Sequence, residues 1–408
     1  MIKRIGALVF IFVCTTIAWL ILGATIFSRT YSPMSDELKS RVAASWGTPQ
    51  QQSSPTASYQ HQAMHVVQDG NGNVSKQWQT TEIVPVALEA SKVDVTLDLE
   101  HRQKGLLWYS TYKVEFAGDY FFTNSSGEER DVTFRLPFPS QQAIYDGLVM
   151  SVDGKPLNIQ NGDNGAFGVA RVPVGKTVIF TTSYRSQGLD SWRYEFGGGI
   201  SQVRDFTLNM RTNFKDIDFP ENTISPTTKS ENGEGWNLTW SYKNLISGYS
   251  IGMAMPQKLQ PGPLAGEISL FAPISLFFFF FLMFIITTLR GINLHPMNYF
   301  FLAAAFFAFH LLMAYLVDHV SIHVAFGICS VVSIFLVVSY LRLVVGIRFA
   351  AVEAGLAQFI YLVLFSYAFF FKGFTGLAIA IGSILTLFAA MQVTGRIRWD
   401  EKFAKAKI

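Results

Sequence analysis

The sequence predicts a membrane protein in two parts, a bundle of six transmembrane α-helices and an extracytoplasmic, mostly antiparallel β-sandwich domain. Two observations predict this fold class. Residues 268–393 are almost continuously apolar and rich in phenylalanine, and they divide into five lengths of the roughly 20 residues that cross a bilayer. Residues 84–256 instead alternate apolar and polar side chains between turn signals, as strands with one buried face do.

Residues 1–28 predict an uncleaved transmembrane anchor, the first of the six helices. Its apolar run, residues 5–27, is longer than the hydrophobic part of a usual signal peptide, and Phe27-Ser28-Arg29 is a poor cleavage site. Cys14 lies too deep in the run to be a lipidated cysteine.

Residues 29–83 predict a short helix over 33–45 followed by a tether. Residues 46–62 are rich in Gln, Ser and Pro and poor in apolar side chains, a composition typical of disordered or extended linkers. His61 and His65 have the spacing of a metal pair on a helix, but the linker context and the lack of a third ligand nearby argue against a metal site.

Residues 84–266 predict the β-domain, in two halves that meet near Gly197-Gly198-Gly199. Turn signals such as Asp153-Gly154 and Asn232-Gly233 separate several of its strands. The domain contains no cysteine, so neither disulfides nor a thiolate zinc site can stabilise it. The runs with the period of a strand are residues 92–100, 112–116, 130–136, 148–152, 177–184, 206–212, 236–242 and 250–255.

Residues 267–395 predict the other five helices, and residues 396–408 predict a basic cytoplasmic tail. With the N-terminus in the cytoplasm, the short segments on that side hold ten Lys or Arg residues, and the opposite short loops hold only Lys372. This asymmetry predicts that both termini are cytoplasmic and that the β-domain lies outside the cytoplasm, in the periplasm if the cell is Gram-negative. The predicted spans are 268–289, 298–317, 323–341, 349–371 and 375–393.

Five polar residues of the membrane region are candidate functional groups, because an ionisable side chain within a span is costly unless it is paired or hydrated. For His310, near the middle of its helix, we expect a hydrogen bond across the bundle, with a role in transport as the alternative. For Glu353 we expect a structural ion pair with Arg348. The five candidates are His295, His310, Asp318, His319 and Glu353.

Asp318 and His319 end the third helix on the predicted outer side, where His323 and Lys372 also lie. One interpretation is a polar cluster that binds an ion, a proton or a lipid headgroup, with histidines that titrate near neutral pH. The other is an ordinary polar loop at the membrane interface. His295 precedes a proline at a predicted helix start, where it can cap the helix or lie among the headgroups.

Catalytic motifs are missing from the sequence. Gly175-Lys176-Thr177 ends like a P-loop, but Ala170 stands where that loop needs its first glycine. No nucleophile elbow, zinc-protease motif or dinucleotide fingerprint occurs. We therefore predict no enzyme activity, no catalytic residue, no cofactor and no metal. Because the excess of basic residues outside 29–267 reflects membrane topology, we predict no nucleic-acid binding.

Four short motifs resemble the CreD family of bacterial inner-membrane proteins. The outer domain is shorter than that family leads one to expect and resembles a divergent branch. The resemblance implies a role in envelope integrity, links to two-component signalling and no established enzyme activity. The motifs are Leu294-His295-Pro296-Met297-Asn298-Tyr299 before a span, Asp318-His319 after it, Arg396-Ile397-Arg398-Trp399 after the last span and Trp46-Gly47-x-Pro49-Gln50 after the first.

Two functions fit these observations. The first is a non-enzymatic inner-membrane protein for envelope integrity or stress response, whose periplasmic β-domain binds an envelope component. Its partners are then membrane lipids and a periplasmic or inner-membrane protein. The alternative is a membrane transporter or lipid-handling protein that uses the intramembrane polar residues. A sensor that reports to a kinase is disfavoured, because the cytoplasmic loops are too short to hold a signalling domain.

Overall fold

The computed structural model of the protein describes residues 2–30, 32–68, 74–104, 107–197, 201–371 and 373–395. The chain divides into two compact units, one helical (Met1–Glu37, Gly105–Leu107 and Leu259–Ile408) and one built mainly of strands (Leu38–Lys104 and Trp108–Lys258). The predicted basic tail, Lys372 and part of the glycine run after residue 197 lie outside the described residues.

Seven helices are found in the described part of the chain, and six of them are long and apolar enough to span a membrane. The six predicted transmembrane helices are thereby confirmed, and the helix predicted over 33–45 is present as well. The helices are α1 (Ile2–Thr30), α2 (Ser32–Trp46), α3 (Pro261–Arg290), α4 (Pro296–Leu316), α5 (Ile322–Val344), α6 (Phe349–Phe370) and α7 (Thr375–Thr394).

The core of the helical unit lies where α3, α4, α5 and α6 meet, and it is dominated by phenylalanine. Phe279 and Phe306 are fully buried there, with ring centroids 5.9 Å apart. Helix α1 packs at the edge and buries one large side chain, Trp19. Helix α6 departs from regular geometry, because Phe349–Ala354 and Phe359–Leu364 are π-helical turns, which widen the helix and are common at functional positions.

The β-domain is built around one strand of 31 residues. The strands of the described chain are β1 (Gln50–Ser53), β2 (Thr56–Gln68), β3 (Val74–Lys104), β4 (Leu107–Thr123), β5 (Arg130–Pro137), β6 (Tyr145–Val152), β7 (Lys155–Pro156), β8 (Gln160–Gly162), β9 (Gly165–Val172), β10 (Thr177–Leu189), β11 (Ser191–Glu195), β12 (Ser201–Thr212), β13 (Thr228–Asn232), β14 (Gly235–Ser247) and β15 (Ile251–Ala254). Seven of the eight predicted strand runs fall within these elements, and the eighth, 250–255, extends one residue beyond β15 at each end.

Most strands join one curled sheet that resembles half of a barrel. Its main path is β7-β6-β10-β4-β3-β2-β5-β9-β8, and β12, β14 and β13 continue it from β3. Strand β3 serves both halves, since its residues 74–86 pair with β2 and its residues 91–97 pair with β12. A separate small sheet has the order β1-β11-β15.

The two halves of the curled sheet face each other, so the predicted mostly antiparallel β-sandwich is confirmed. Phe134 of β5 stacks on Phe180 of β10, with ring centroids 5.3 Å apart, and meets Phe122 of β4 edge to face at 5.7 Å. All three rings are buried in the domain core. These contacts hold together strands that are far apart along the sheet.

The prediction of a disordered or extended tether at residues 46–62 is wrong. Strand β1 pairs in parallel with β11, and β2 pairs with both β3 and β5. Gln50 and Gln52 point into the domain and are buried, whereas Gln51 between them is exposed. Composition misled the prediction because it counts glutamine as a solvent-facing residue, and here two glutamines belong to a buried hydrogen-bond network.

Candidate functional site

His295 is the N-cap of α4, as its place before a proline led us to expect. Its Nδ1 accepts a hydrogen bond from the backbone N–H of Met297 at 3.3 Å. Pro296 follows at the first helical position. A backbone N–H at that position would have no partner within the helix, so its absence in proline costs no hydrogen bond. The ring of His295 is exposed, so capping accounts for this residue without further chemistry.

His310 is fully buried in the middle of α4. Four aromatic rings surround the imidazole, with centroids 4.9 to 6.5 Å away, and Trp19 of α1 is one of them at 5.7 Å. Neither ring nitrogen has a hydrogen-bond partner among the described residues. The hydrogen bond predicted for His310 across the bundle is therefore wrong, because the neighbours on that face are aromatic.

Trp19 also contacts a buried polar residue of α3. The indole Nε1 donates to the backbone oxygen of Ser269 in α3 at 3.0 Å, and the Ser269 hydroxyl oxygen is buried without a partner in the described chain. Trp19 thus touches both His310 and Ser269, so three helices bring buried polar groups to one region of the bundle.

Asp318 and His319 follow α4 in a turn, and His323 lies in the first turn of α5. Asp318 is partly buried, while both histidines are exposed. The His323 ring packs against Phe370 at 5.1 Å. Since Lys372 lies outside the described residues, the predicted four-residue cluster stays a prediction.

Glu353 forms an ion pair, but its partner differs from the predicted one. Its carboxylate contacts the guanidinium of Arg290, the last residue of α3, rather than Arg348. The Glu353 side chain is only 15% exposed, and Arg290 is 56% exposed. The pair ties α6 to the end of α3, because the π-helical turn at Phe349–Ala354 carries the glutamate.

The five candidate residues do not form one site. At a rise of about 1.5 Å per residue, His295 and Asp318 lie roughly 34 Å apart along α4, with His310 between them. Glu353 lies near the end of α3, beside the loop that leads to His295. A transport path through these groups would need further polar residues to connect them.

Other polar contacts between helices were not singled out from the sequence. Gln358 of α6 is fully buried and donates to the Ser333 hydroxyl of α5 at 2.9 Å, and Ser333 donates to the Ala305 backbone oxygen of α4 at 2.8 Å. Tyr340 of α5 donates to the Asn298 side chain of α4 at 2.8 Å. A glutamine within an apolar run is the signal that could have revealed the first of these contacts.

In the β-domain, the buried glutamines of β1 meet a group of tyrosines. Tyr184 donates to Oε1 of Gln52 at 2.6 Å, and the Gln52 Nε2 donates to the backbone oxygen of Pro137 at 3.0 Å. The Gln50 Nε2 donates to the Ser186 hydroxyl at 2.8 Å. Strand β1 therefore links β10 to the end of β5 through side chains.

Burial controls the chemistry of these tyrosines. It raises the pKa of the Tyr194 hydroxyl to about 12, although hydrogen bonds from Ser54 and Tyr120 act in the opposite direction. Burial also raises the pKa of Tyr184 well above its ordinary value. These hydroxyls stay neutral and act as hydrogen-bonding groups of the core.

The β-domain also contains a cavity of about 350 Å³ beside the middle of β3. Phe122 and Phe206 form its buried floor, and Val86 and Leu88 of β3 line one wall. The start of β2, the first half of β12 and the segments 54–55 and 196–197 complete the lining. The volume lies within the range of about 300 to 1,000 Å³ that is usual for small-molecule sites.

One charged side chain, Arg204 of β12, lines this cavity among the described residues. Its Nη1 lies 3.3 Å from the Glu89 carboxylate, and both side chains are substantially exposed. The sequence did not single out any of these residues, because alternating strands show which face is buried and not where the two halves leave a gap. Among the described residues, no group of His, Cys, Asp and Glu could hold a metal ion.

Comparison with protein families bears on the helical unit. Residues 269–400 match the family model described as inner membrane protein CreD, which confirms the resemblance found in the sequence. No curated protein matches the chain.

Solved structures give only distant likenesses. A protein assigned as a nutrient binding protein from Legionella pneumophila is 10% identical, with a TM-score of 0.33 and coverage of 57% of this chain and 76% of its own. A mutant M1 zinc metallopeptidase from Deinococcus radiodurans is 11% identical, with a TM-score of 0.24 and coverage of 41% and 42%. Likenesses at these TM-scores carry no argument about fold or function.

Proposed function

We propose that the chain, whose residues 269–400 match the CreD family model and whose six long apolar helices could span a membrane, is a multi-pass inner-membrane protein that supports the integrity of the cell envelope without catalysing a reaction. In this proposal both termini are cytoplasmic and the β-domain lies in the periplasm, as the distribution of Lys and Arg indicates. The β-domain then binds an envelope component, and the helices hold it at the membrane.

The cavity in the β-domain is the observation that carries this proposal. A concave site with an apolar floor and a few polar groups at its rim is the usual form of a ligand site, and the cavity has the floor formed by Phe122 and Phe206 and a rim that includes Arg204.

Complementation of a deletion strain under bile-salt stress tests the proposal. Val86→Trp fills the cavity from a partly buried position, and Ala87→Trp places the same side chain on the exposed opposite face of β3. We expect the intact chain and Ala87→Trp to restore growth and Val86→Trp to fail, with equal protein levels by immunoblot. Full rescue by Val86→Trp would show that the cavity is not what protects the envelope.

Transport or lipid handling is the second candidate function, and His310 favours it. A fully buried imidazole whose two nitrogens have no partner in the described part of the chain is costly inside a bilayer, and a passing proton or polar substrate could supply the missing partner. The same strain carrying Asp318→Ala and His319→Ala tests this function. Loss of rescue with normal protein levels, together with a pH-dependent flux in vesicles that Asp318→Ala abolishes, would favour transport over the first proposal.

A further inference from the structure

We propose that the cavity binds an anionic amphiphile, with its apolar part against Phe122 and Phe206 and its anionic group beside Arg204. This inference rests on the proposed function and names the ligand class of the same site. The site accounts for both ends of such a molecule, an apolar floor inside and a cation at the rim.

The interior of the cavity selects for an apolar group. Phe122 and Phe206 are each 1% exposed, so their rings form a closed floor. Val86, Leu88 and Phe196 add aliphatic and aromatic surface on the walls. Moving apolar ligand surface from water onto such a floor is favourable by roughly 25 cal/mol of free energy per Å². The floor therefore favours a hydrocarbon chain or a flat apolar ring system over a sugar or a peptide backbone.

The wall of the cavity offers few backbone donors near its prolines, because Pro55 and Pro85 line it and have no backbone N–H. The hydroxyl of Ser54 already shares a hydrogen bond of 3.0 Å with the Tyr194 hydroxyl. The other polar side chains of the lining, Thr56, Ser91 and Gln202, are neutral, so Arg204 is the lining group that favours an anion over a neutral polar ligand.

Charge at the rim selects for an anion. Arg204 is the charged residue that lines the cavity in the described chain, and its partner Glu89 is not part of the lining. Because both members of that ion pair are well exposed, the pair contributes little to stability and leaves guanidinium donors for a second oxyanion. Arginine is suited to carboxylate, phosphate and sulfonate groups, which it can bind with two parallel hydrogen bonds.

Two membrane molecules share this chemistry, a free fatty acid and an anionic phospholipid that inserts one acyl chain. Photo-crosslinking of the full chain in nanodiscs separates them. The probes are dodecanoate and phosphatidylglycerol, each with a diazirine in the acyl chain, and dodecanol with the same diazirine is the uncharged control. Crosslinked peptides are identified by mass spectrometry.

We expect labelling by at least one anionic probe on the strands that line the cavity, at residues 54–57, 85–91 and 202–206. Val86→Trp removes most of this labelling, and Ala87→Trp leaves it unchanged. Arg204→Ala lowers labelling by the anionic probe about fivefold, as expected for a partly exposed charge pair, and leaves dodecanol unaffected. Labelling by dodecanoate alone identifies a free fatty acid as the ligand, and labelling by phosphatidylglycerol alone identifies a phospholipid.

Labelling confined to the membrane helices, or cavity labelling that Val86→Trp leaves intact, would overturn the inference. Leu88→Phe, a smaller change on the same wall, replaces Val86→Trp if that variant shows altered circular dichroism. Failure of the inference is distinct from failure of the proposed function. If Val86→Trp abolishes rescue and no probe labels the cavity, the site protects the envelope through a ligand of another class.

Discussion

Replacing Gln52 with alanine is expected to lower the free energy of unfolding of the β-domain by about 2 to 4 kcal/mol. Gln52 is fully buried and makes three hydrogen bonds, with Tyr184 at 2.6 Å, Pro137 at 3.0 Å and Ser53 at 2.7 Å. Alanine removes all three at once. Strand β1 then keeps its backbone pairing with β11 and the bond from Gln50 to Ser186 of β10, and it loses the links that Gln52 makes to Tyr184 and Pro137.

The magnitude follows from the groups left behind. The Tyr184 hydroxyl and the Pro137 carbonyl are both deprived of their glutamine partner in the interior, and each unsatisfied buried polar group costs about 1 to 3 kcal/mol. The carbonyl oxygen has a second lone pair, so we place the sum below the upper limit. Combining Gln52→Leu with Tyr184→Phe should restore most of the loss, because replacing both partners with apolar groups is nearly neutral.

The neighbouring Gln51 provides the control. It lies on the same strand and is exposed, so Gln51→Ala should change the free energy of unfolding by no more than about 0.5 kcal/mol. Urea titration of the full chain in detergent, followed by near-ultraviolet circular dichroism, reports the transition of the aromatic-rich β-domain core. Equal stabilities of the Gln51 and Gln52 variants would refute the view that buried glutamines fix β1 in the domain.

Three further outcomes are expected, all measured by unfolding of the full chain in detergent. His310→Phe should raise the free energy of unfolding of the helical unit by about 1 to 3 kcal/mol, because a phenyl ring has no nitrogens that need a partner. The control, His323→Phe, should have little effect. Destabilisation by His310→Phe would mean that a bound molecule partners the imidazole. Glu353→Gln should lower the free energy of unfolding by about 1 kcal/mol, because it removes the ion pair with Arg290. If added salt leaves the stability of the parent chain unchanged, this expectation is contradicted. Burial raises the Tyr194 pKa to about 12, above the ordinary value near 10, so the unfolded chain ionises first and the stability of the β-domain should fall as pH rises from 10 to 12. Tyr194 alone contributes about 1.4 kcal/mol per pH unit, and other buried tyrosines with raised pKa values add to the slope. Tyr194→Phe should reduce the slope by that amount, and an unchanged slope would exclude Tyr194 as one of its sources.

Apolar length and period two predicted the helices and most strands. A bilayer-spanning helix needs a run of apolar residues and little else, so the six spans could be placed within a few residues. Strands such as β5 and β12 were visible because one face of each is buried and the other is exposed. Both signals are local in the sequence.

Contacts between distant residues could not be predicted in the same way. Gln50 and Gln52 are polar, and their buried side chains bond to Ser186 and Tyr184, which lie more than a hundred positions later. His61 and His65 lie in β2, where four residues span about 13 Å, so the spacing that suits a helix places these residues too far apart to share a metal ion. Glu353 pairs with Arg290 and not with Arg348, because the packing of α6 on α3 decides which cation is near.

The cavity, too, could not be predicted from local sequence signals, because it depends on contacts between distant strands. Its floor comes from β4 and β12, and its wall comes from β3, with no motif in any of them. What the sequence does show is that Val86 and Leu88 lie on one face of a strand and Ala87 on the other, and this alternation is what allows a matched pair of variants to test the site.

During folding, part of the long strand β3 stays unpaired until a much later segment of the chain has formed. Residues 91–97 pair in parallel with residues 206–212, so this edge of β3 has no partner until the chain has grown by roughly a hundred further residues. Parallel pairings between distant segments form slowly, and unpaired edges invite aggregation. Lys92 and Asp94 occupy outward positions of that stretch, and Asp98 follows it; their charge discourages pairing with another chain until β12 has formed.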